Sequence, residues 1–311
     1  MVLQVQRAAW LEHARAHAAS YAPVAVVPVV KGNGYGFGRA TLFPVAAELS
    51  PWVCVGTVHE LDGVPDAVTP VVLTPSSTPP GRDDAVLTVG HLRDVGALIG
   101  WAGRVMVKLE SSMRRYGASP DELAPLLAAA NAAGLEVVAA SIHLPLAGDD
   151  PARVAEVRAW LARLPDGLPL WVSHLSVDAA HDLAPDCGHL LTVRSGTALW
   201  HGDKSFLHLG ADVVYTRTVS AGDRVGYRHA VVPGDGTLVL VGAGSTHGVA
   251  ELADGRSPFH FARRRLALVE PPHMHTSMVF VPAGDRVPVP GDPVDVQRPL
   301  TTTAVDLVEW V

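Results

Sequence analysis

Residues 29–39 read Val-Val-Lys-Gly-Asn-Gly-Tyr-Gly-Phe-Gly-Arg, so that Lys31 closes an apolar run and glycines follow at positions 32, 34, 36 and 38. An amine at the end of a buried strand is partly desolvated. Its pKa falls, and the free base that remains can attack a carbonyl to give a Schiff base. The glycines let the chain turn tightly just after it. A plainer reading stands beside this one: the lysine ends its strand by reaching for water and the glycines only turn the chain.

Other segments carry reactive side chains, each with an ordinary alternative. Residues 107–117, VKLESSMRRYG, hold Lys108, Glu110, Arg114 and Arg115, which could be plain surface charges. His143 ends the run SIH, and a histidine after a strand is commonly satisfied locally. Arg194, Gly196 and Thr197 fall in VRSGTALWHG, Ser176 in SHLS and Tyr227 in AGDRVGY. Arg-Ser-Gly is a common turn, and a strand tyrosine is usually half-buried packing. His273 and His275 alternate as strand neighbours would, a spacing that suits two metal ligands, and no third ligand accompanies them, so no metal is assigned.

These residues need a scaffold. Eight short apolar runs occupy the first two-thirds of the chain: Val24–Val30, Trp52–Val55, Pro70–Leu73, Val86–Val89, Val105–Leu109, Val137–Ile142, Pro169–Val172 and Leu190–Val193. Each is continuous rather than alternating, as strands covered on both faces are. Ala-rich helical stretches lie between them at Ala40–Leu49, Asp121–Ala133 and Pro151–Leu164, the second opened by Ser119-Pro120-Asp121-Glu122. Alternation on this scale predicts an α/β fold, a (β/α)8 TIM-type barrel over residues 1–205, with an open doubly wound sheet as the alternative. Reactive side chains at the strand ends of such a barrel share one face.

Beyond about residue 203 the texture changes to strands separated by turns. Ala211–Val219, Ala230–Val232, Thr237–Val241, Arg265–Val269, Ser277–Val281, Val294–Val296 and Thr302–Val308 read as strands, broken by Gly-Asp turns such as Gly222-Asp223 and Gly291-Asp292. Residues 206–311 are therefore expected to form a separate all-β C-terminal domain.

Composition narrows the class of partner. A net charge of −7 argues against nucleic acid, whose phosphates need clustered Lys and Arg; the one basic knot, Arg263–Arg265, reads as a protected sheet edge. The N-terminal stretch is interrupted by charge, unlike a secretory signal, and no apolar run reaches membrane-spanning length. Two cysteines, Cys54 and Cys187, lie far apart and outside any metal-ligand spacing, which fits a reducing cytoplasm. A positive mean hydropathy with abundant Ala, Val, Pro and Gly describes a well-buried core with many turns.

The stretch from Lys31 to Gly38 resembles the cofactor-lysine signature of the alanine racemase family, among the fold-type III pyridoxal-phosphate enzymes: Lys31, Asn33, Tyr35, Gly36 and Gly38 match, and Phe37 stands where the family has histidine. Residues 107–117 resemble a second family segment through Lys108, Glu110, Met113, Arg115 and Gly117, and 193–202 a third through Arg194 and Gly196. The resemblance implies pyridoxal 5'-phosphate held on Lys31 as a Schiff base, Tyr35 on its phosphate, and Arg115 near its phenolic oxygen and the substrate carboxylate. It further implies Lys108 as a structural brace for Arg115, His143 at the cofactor ring, Arg194 at the pyridine nitrogen, and Ser176, Gly196 and Thr197 at the phosphate. By the same resemblance Lys31 and Tyr227 are the two bases of a racemase that interconverts L- and D-amino acids, with Met274 at the substrate. In the family the tyrosine enters the neighbouring subunit, so a homodimer sharing its active sites is implied.

The likeness is weaker toward the substrate entrance. Gly244-Ser245-Thr246-His247-Gly248 replaces a family Gly-Tyr-x-Asp-Gly, and Met274-His275-Thr276 replaces Met-Asp-Gln. The family's late phosphate-binding tyrosine has no assigned position. Alanine or another small amino acid is the expected substrate, and Ser245 and His275 open the possibility of a larger or differently charged one. Two alternatives accompany this expectation: a fold-type III aldolase with a metal at the C-terminal domain, and a non-catalytic pyridoxal-phosphate-binding homologue.

Overall fold

The computed structural model describes residues 1–76, 78–185, 188–202 and 204–311; Cys187 lies outside the described residues. The chain opens on β1 (Val2–Val5) and α1 (Arg7–Ser20), then alternates β2 (Ala25–Pro28), α2 (Arg39–Leu49), β3 (Trp52–Val55), β4 (Thr69–Val72), β5 (Val86–Val89) and α3 (Leu92–Ala97). It continues through β6 (Arg104–Lys108), α4 (Pro120–Ala132), β7 (Glu136–His143), α5 (Asp150–Leu161), β8 (Leu170–Ser173), α6 (Val177–Leu183), β9 (Leu191–Ser195) and α7 (Thr197–Trp200). Two compact units result, Glu12–Gly34 with Gly38–Gly202, and Met1–Leu11 with Tyr35–Phe37 and Asp203–Val311.

In the first unit all eight expected strands form. They lie in one parallel sheet in the order β2-β9-β8-β7-β6-β5-β4-β3, and the two ends of this row meet through a parallel bridge between Val29 and Cys54. Val30 N–H donates to the Cys54 carbonyl at 2.7 Å, so the barrel closes just where the chain turns toward Lys31. Strands covered on both sides are apolar along most of their length. Val86, Leu87 and Val89 of β5 and Val105, Met106 and Val107 of β6 are fully buried. The helix starts are local chemistry: Ser119 caps α4, Pro120 supplies a preset φ, and Glu122 accepts from the Ser119 N–H at 2.9 Å.

The second unit is antiparallel in the main. β10 (Leu207–Val219), β11 (Arg224–Val225), β12 (Ala230–Val231), β13 (Gly236–Val241), β14 (Phe259–Phe261), β15 (Arg264–Arg265), β16 (Ala267–Leu268), β17 (Ser277–Pro282), β18 (Pro293–Val296) and β19 (Leu307–Trp310) follow in order. β10 is thirteen residues long and changes partner midway: Gly210–Asp212 pair with β18, then beyond an irregularity at Val213–Tyr215 the strand pairs with β13 as far as Val219. A bulge bends a strand and raises its twist, which lets one strand serve two sheet segments. Along β13 and β17 the side chains alternate between two clusters, Val239, Val241, Val279 and Val281 on one face and Leu238, Met278 and Phe280 on the other. Arg264 and Arg265 occupy β15 at the sheet edge, where Arg264 pairs with Asp285 and Arg265 reaches Gln297.

Two expectations need correction. The first eleven residues, counted with the barrel in the sequence reading of 1–205, belong to the second unit, because Leu3 and Val5 are fully buried where β1 pairs antiparallel with β10 and parallel with β19. A four-residue strand is too short for its period to register. The strand expected at Thr302–Val308 is a 3-10 turn at Leu300–Thr302 followed by β19.

Gly117 decides the path of the loop after β6. Its φ is +130°, and a Cβ there would sit 2.4 Å from the Leu109 carbonyl carbon, beside the bridge joining Leu109 to Ala118. Backbone cannot yield as a side chain can, so Gly117→Ala is expected to cost about 2–3 kcal/mol. Its denaturant midpoint should fall below that of the parent in urea unfolding.

Candidate functional site

The carboxyl ends of the barrel strands gather most of the reactive side chains singled out from the sequence. Lys108 and His143 are the last residues of β6 and β7, and Arg194 is the last but one of β9, paired in register with Ser173 at the end of β8. Lys31 follows β2 in the loop that also closes the barrel. That loop is clamped by Glu60, whose two oxygens accept from Gly32 N–H at 3.1 Å and Gly56 N–H at 2.7 Å. Arg39 donates to the Gly32 carbonyl at 2.7 Å. Glu60 was not singled out in the sequence, although an acid a few residues past a barrel strand is the signal that marks it.

Arg194 is buried, with 5% of its surface exposed. One terminal nitrogen donates to the Ile142 carbonyl at 2.7 Å, while its Nε–H, also buried, has no acceptor. Burial, and then the charge of Arg115, lower its pKa from the ordinary guanidinium value. Lys108 is equally enclosed. Burial first, and Arg194 and Arg115 after it, push its amine well below the usual lysine range, and among the described residues no carboxylate pairs with it. Lys31 keeps contact with solvent, yet the walls about its amine, then Arg194 and Arg115, hold its pKa below the ordinary value, with Glu60 opposing weakly. Arg115 itself is exposed, its guanidinium 4.5 Å from the centre of the Tyr116 ring. This end of the barrel is thus a bowl whose fixed charge is that of Arg115 and Arg194, a positive field that attracts anions.

His143 lies against the same wall. Its Nδ1 meets Ser173 Oγ at 2.6 Å and its ring tilts against His174, the centroids 4.6 Å apart. Burial, then Arg194 and Lys108, push it down to about 2, so the imidazole is neutral at any working pH. His174, held at φ 62° with Nδ1 2.8 Å from the Leu144 carbonyl, is a second residue missed in the sequence; its positive φ is visible only in three dimensions. Cys54 is a third, fully buried beside Lys31, Lys108 and Arg194 and raised to about 12 by desolvation, hence an inert thiol.

The remaining sequence candidates are placed as follows. Gly196 precedes the single turn of α7 and Thr197 opens it, where first-turn N–H groups lack intrahelical acceptors. Ser176 caps α6, its Oγ accepting from Ala179 N–H at 3.1 Å, and it also bonds the Asp150 carboxylate. Tyr35, Tyr227 and Met274 belong to the other unit. There Tyr35 is buried at φ 56°, Phe37 packs on Trp10 with centroids 5.1 Å apart, and Met274 and Tyr227 are 65% and 85% exposed. His273 and His275, weighed as metal ligands, and the nearby His247 take separate partners: His247 meets Asp306, His273 meets Glu270, and His275 meets Thr246. Among the described residues, no three His, Cys, Asp or Glu side chains converge as a metal site would require, and no helix is long and apolar enough to cross a membrane.

Comparison with known proteins adds an independent line. Residues 5–204 match the family model described as alanine racemase, N-terminal domain. The alanine racemase of Mycolicibacterium vanbaalenii is 33% identical across 78% of this chain and 71% of that protein. That of Cutibacterium acnes is 26% identical across 65% of this chain, which spans 62% of that enzyme's length. Among solved structures, the alanine racemase of Bartonella henselae with covalently bound pyridoxal phosphate superposes with a TM-score of 0.77 over 100% of this chain and 99% of that one, at 19% identity, a likeness of fold.

His143 makes the site's electrostatics measurable. Its folded pKa of about 2 lies below the ordinary 6.5, so between these values the unfolded chain binds a proton that the folded chain refuses. Stability therefore rises with pH through this window and is lost as pH falls below the ordinary histidine value. In His143→Gln, which keeps a partner for Ser173, the loss of stability between neutral pH and mildly acidic pH should shrink, as read from urea midpoints at each pH.

Proposed function

The chain belongs to the alanine racemase family, and from that premise we propose that it interconverts the L- and D-forms of a small amino acid with pyridoxal 5'-phosphate carried on Lys31. The observation that carries this reading is the buried Arg194 Nε–H without an acceptor, lying within the field of the Arg115 charge. Such a donor set fits a ligand that brings a carbonyl for the Lys31 amine, an aromatic nitrogen acceptor for Arg194, and a phosphate. Lys31, Tyr35, Arg115, His143, Ser176, Arg194, Gly196 and Thr197 are the residues assigned to hold it. When bound, pyridoxal phosphate supplies an electron sink that makes the α-hydrogen of an attached amino acid acidic.

The chain's own residues do the rest. Lys31, with its pKa lowered by burial and by Arg194 and Arg115, holds or gives up a proton at Nζ on one face of the α-carbon. Tyr227 serves the opposite face through its phenol. Arg115 offers a planar fork to the substrate carboxylate. Arg194 does not surrender its proton, so it withholds from the ring nitrogen what a carboxylic acid would supply, and this disfavours side reactions of a long-lived carbanion. His143, neutral, lines the wall without adding charge. Met274 is assigned to the substrate, while Ser245 and His275 leave room for amino acids other than alanine.

An 85% exposed tyrosine is free to enter a second copy of the chain, which supports a homodimer with shared sites. A reducing compartment, the cytoplasm, belongs to the same reading, with Cys54 a free thiol. Lys108 completes it: burial and the charges of Arg194 and Arg115 favour the neutral form of its amine, and a neutral amine adds carbon dioxide to give a carbamate anion and a released proton, an anion that would brace Arg115. A carbamate carbon should then appear by NMR in protein equilibrated with 13C-bicarbonate and be missing in Lys108→Met.

The decisive test is optical. Protein given pyridoxal phosphate should show a visible absorption band that borohydride removes and that Lys31→Ala lacks, and Tyr227→Phe should lose enantiomer interconversion. Absence of the band from every preparation overturns the proposal; a band without exchange of any amino acid's α-hydrogen points instead to a non-catalytic cofactor-binding protein.

A further inference from the structure

Tyr227 sits on the turn between β11 and β12, where the turn's own hydrogen bond runs from His229 N–H to the Gly226 carbonyl at 3.3 Å and leaves the N–H groups of Tyr227 and Arg228 to an outside acceptor. Glu270, whose side chain is 3% exposed, reaches under this turn with both oxygens. Oε1 accepts from Tyr227 N–H at 3.0 Å and Oε2 from Arg228 N–H at 2.9 Å. The carboxylate fills the space a side chain at 226 would need: a Cβ on Gly226, at φ +74°, would lie 2.0 Å from Oε1. The same Oε1 meets His273 Nε2 at 2.5 Å, and the His273 ring in turn supports the phenol of Tyr227, centroids 4.5 Å apart and planes inclined by 50°. His273 is itself fixed through its backbone, its N–H donating to Thr276 at 2.9 Å and its carbonyl accepting from Ser245 at 2.7 Å.

We infer that Glu270 and His273 are positioning residues for Tyr227, acting as one device: the buried carboxylate fixes the backbone that carries the tyrosine, and the imidazole it holds sets the direction of the phenol. An exposed side chain ordinarily samples several rotamers. A ring face at van der Waals distance and two charge-assisted backbone hydrogen bonds confine this one before any ligand arrives. Misplacing a proton-transfer group by about 1 Å costs on the order of a hundredfold in rate. The inference rests on the proposed racemase reading, in which Tyr227 serves one face only, so loosening it must weaken one half of the reaction.

The test is α-hydrogen exchange in deuterated water, followed separately for each enantiomer of the amino acid that the parent enzyme turns over. In Glu270→Gln, whose amide must face one of the two N–H groups with a donor, exchange from one enantiomer should slow by about tenfold or more while exchange from the other stays near the parent rate. His273→Ala should give the same asymmetry and His273→Phe, which keeps a ring face, should recover most of it. The His273 pair keeps the test open should Glu270→Gln fail to fold. Equal slowing of both enantiomers, or no slowing of either, overturns the inference. A parent enzyme that exchanges neither enantiomer of any amino acid overturns the racemase reading beneath it.

Discussion

The barrel mouth is organised around the desolvation of one guanidinium, that of Arg194, which is held at the end of β9 with a single backbone acceptor and one N–H left over. A buried charge without a compensating partner costs on the order of 3–5 kcal/mol. The closed wall of eight parallel strands bears that cost, because its backbone groups are paired within the sheet and most of its side chains are apolar. What the fold loses in stability at Arg194 it holds as unspent hydrogen-bonding capacity and positive potential at one place.

The other features of the mouth follow from that charge. Lys31, Lys108 and His143 all lie within its field and behind the same desolvating walls, and all three are driven toward their neutral forms. An amine destined to react as a nucleophile or base needs this, since its protonated form does neither. His143 at a barrel strand end becomes a neutral surface rather than an acid. Glu60, the carboxylate that faces Lys31, is spent on two backbone N–H groups, so it shapes the loop without neutralising the bowl.

The second unit solves a different problem. Its long strand β10 bends at Val213–Tyr215 to serve two sheet segments, and the turn between β11 and β12 carries Tyr227 outward. Here a carboxylate again satisfies backbone donors, the buried Glu270 beneath residues 227 and 228, as the half-buried Glu60 does for residues 32 and 56. In both units a loop with too few internal hydrogen bonds borrows a carboxylate from a neighbouring segment.

By itself the sequence determined the kind of protein this is. Eight continuous, mainly apolar runs read as barrel strands because burial on both faces leaves few polar positions, and all eight are strands in the fold. The Lys31 segment, Arg115 and Arg194 were singled out through their resemblance to short segments of the alanine racemase family, since such segments are local patterns. β1 escaped because four residues, Val2–Val5, are too few for a period to declare itself, and the strand is fixed by its partners β10 and β19. Only the tertiary structure decided which carboxylates hold the loops, that Arg194 keeps an unpaired Nε–H, and that His143 is neutral. The reason is common to all three: hydrogen-bond satisfaction and desolvation depend on groups from 28 to more than 50 residues away in the chain, and no local pattern in the sequence carries them.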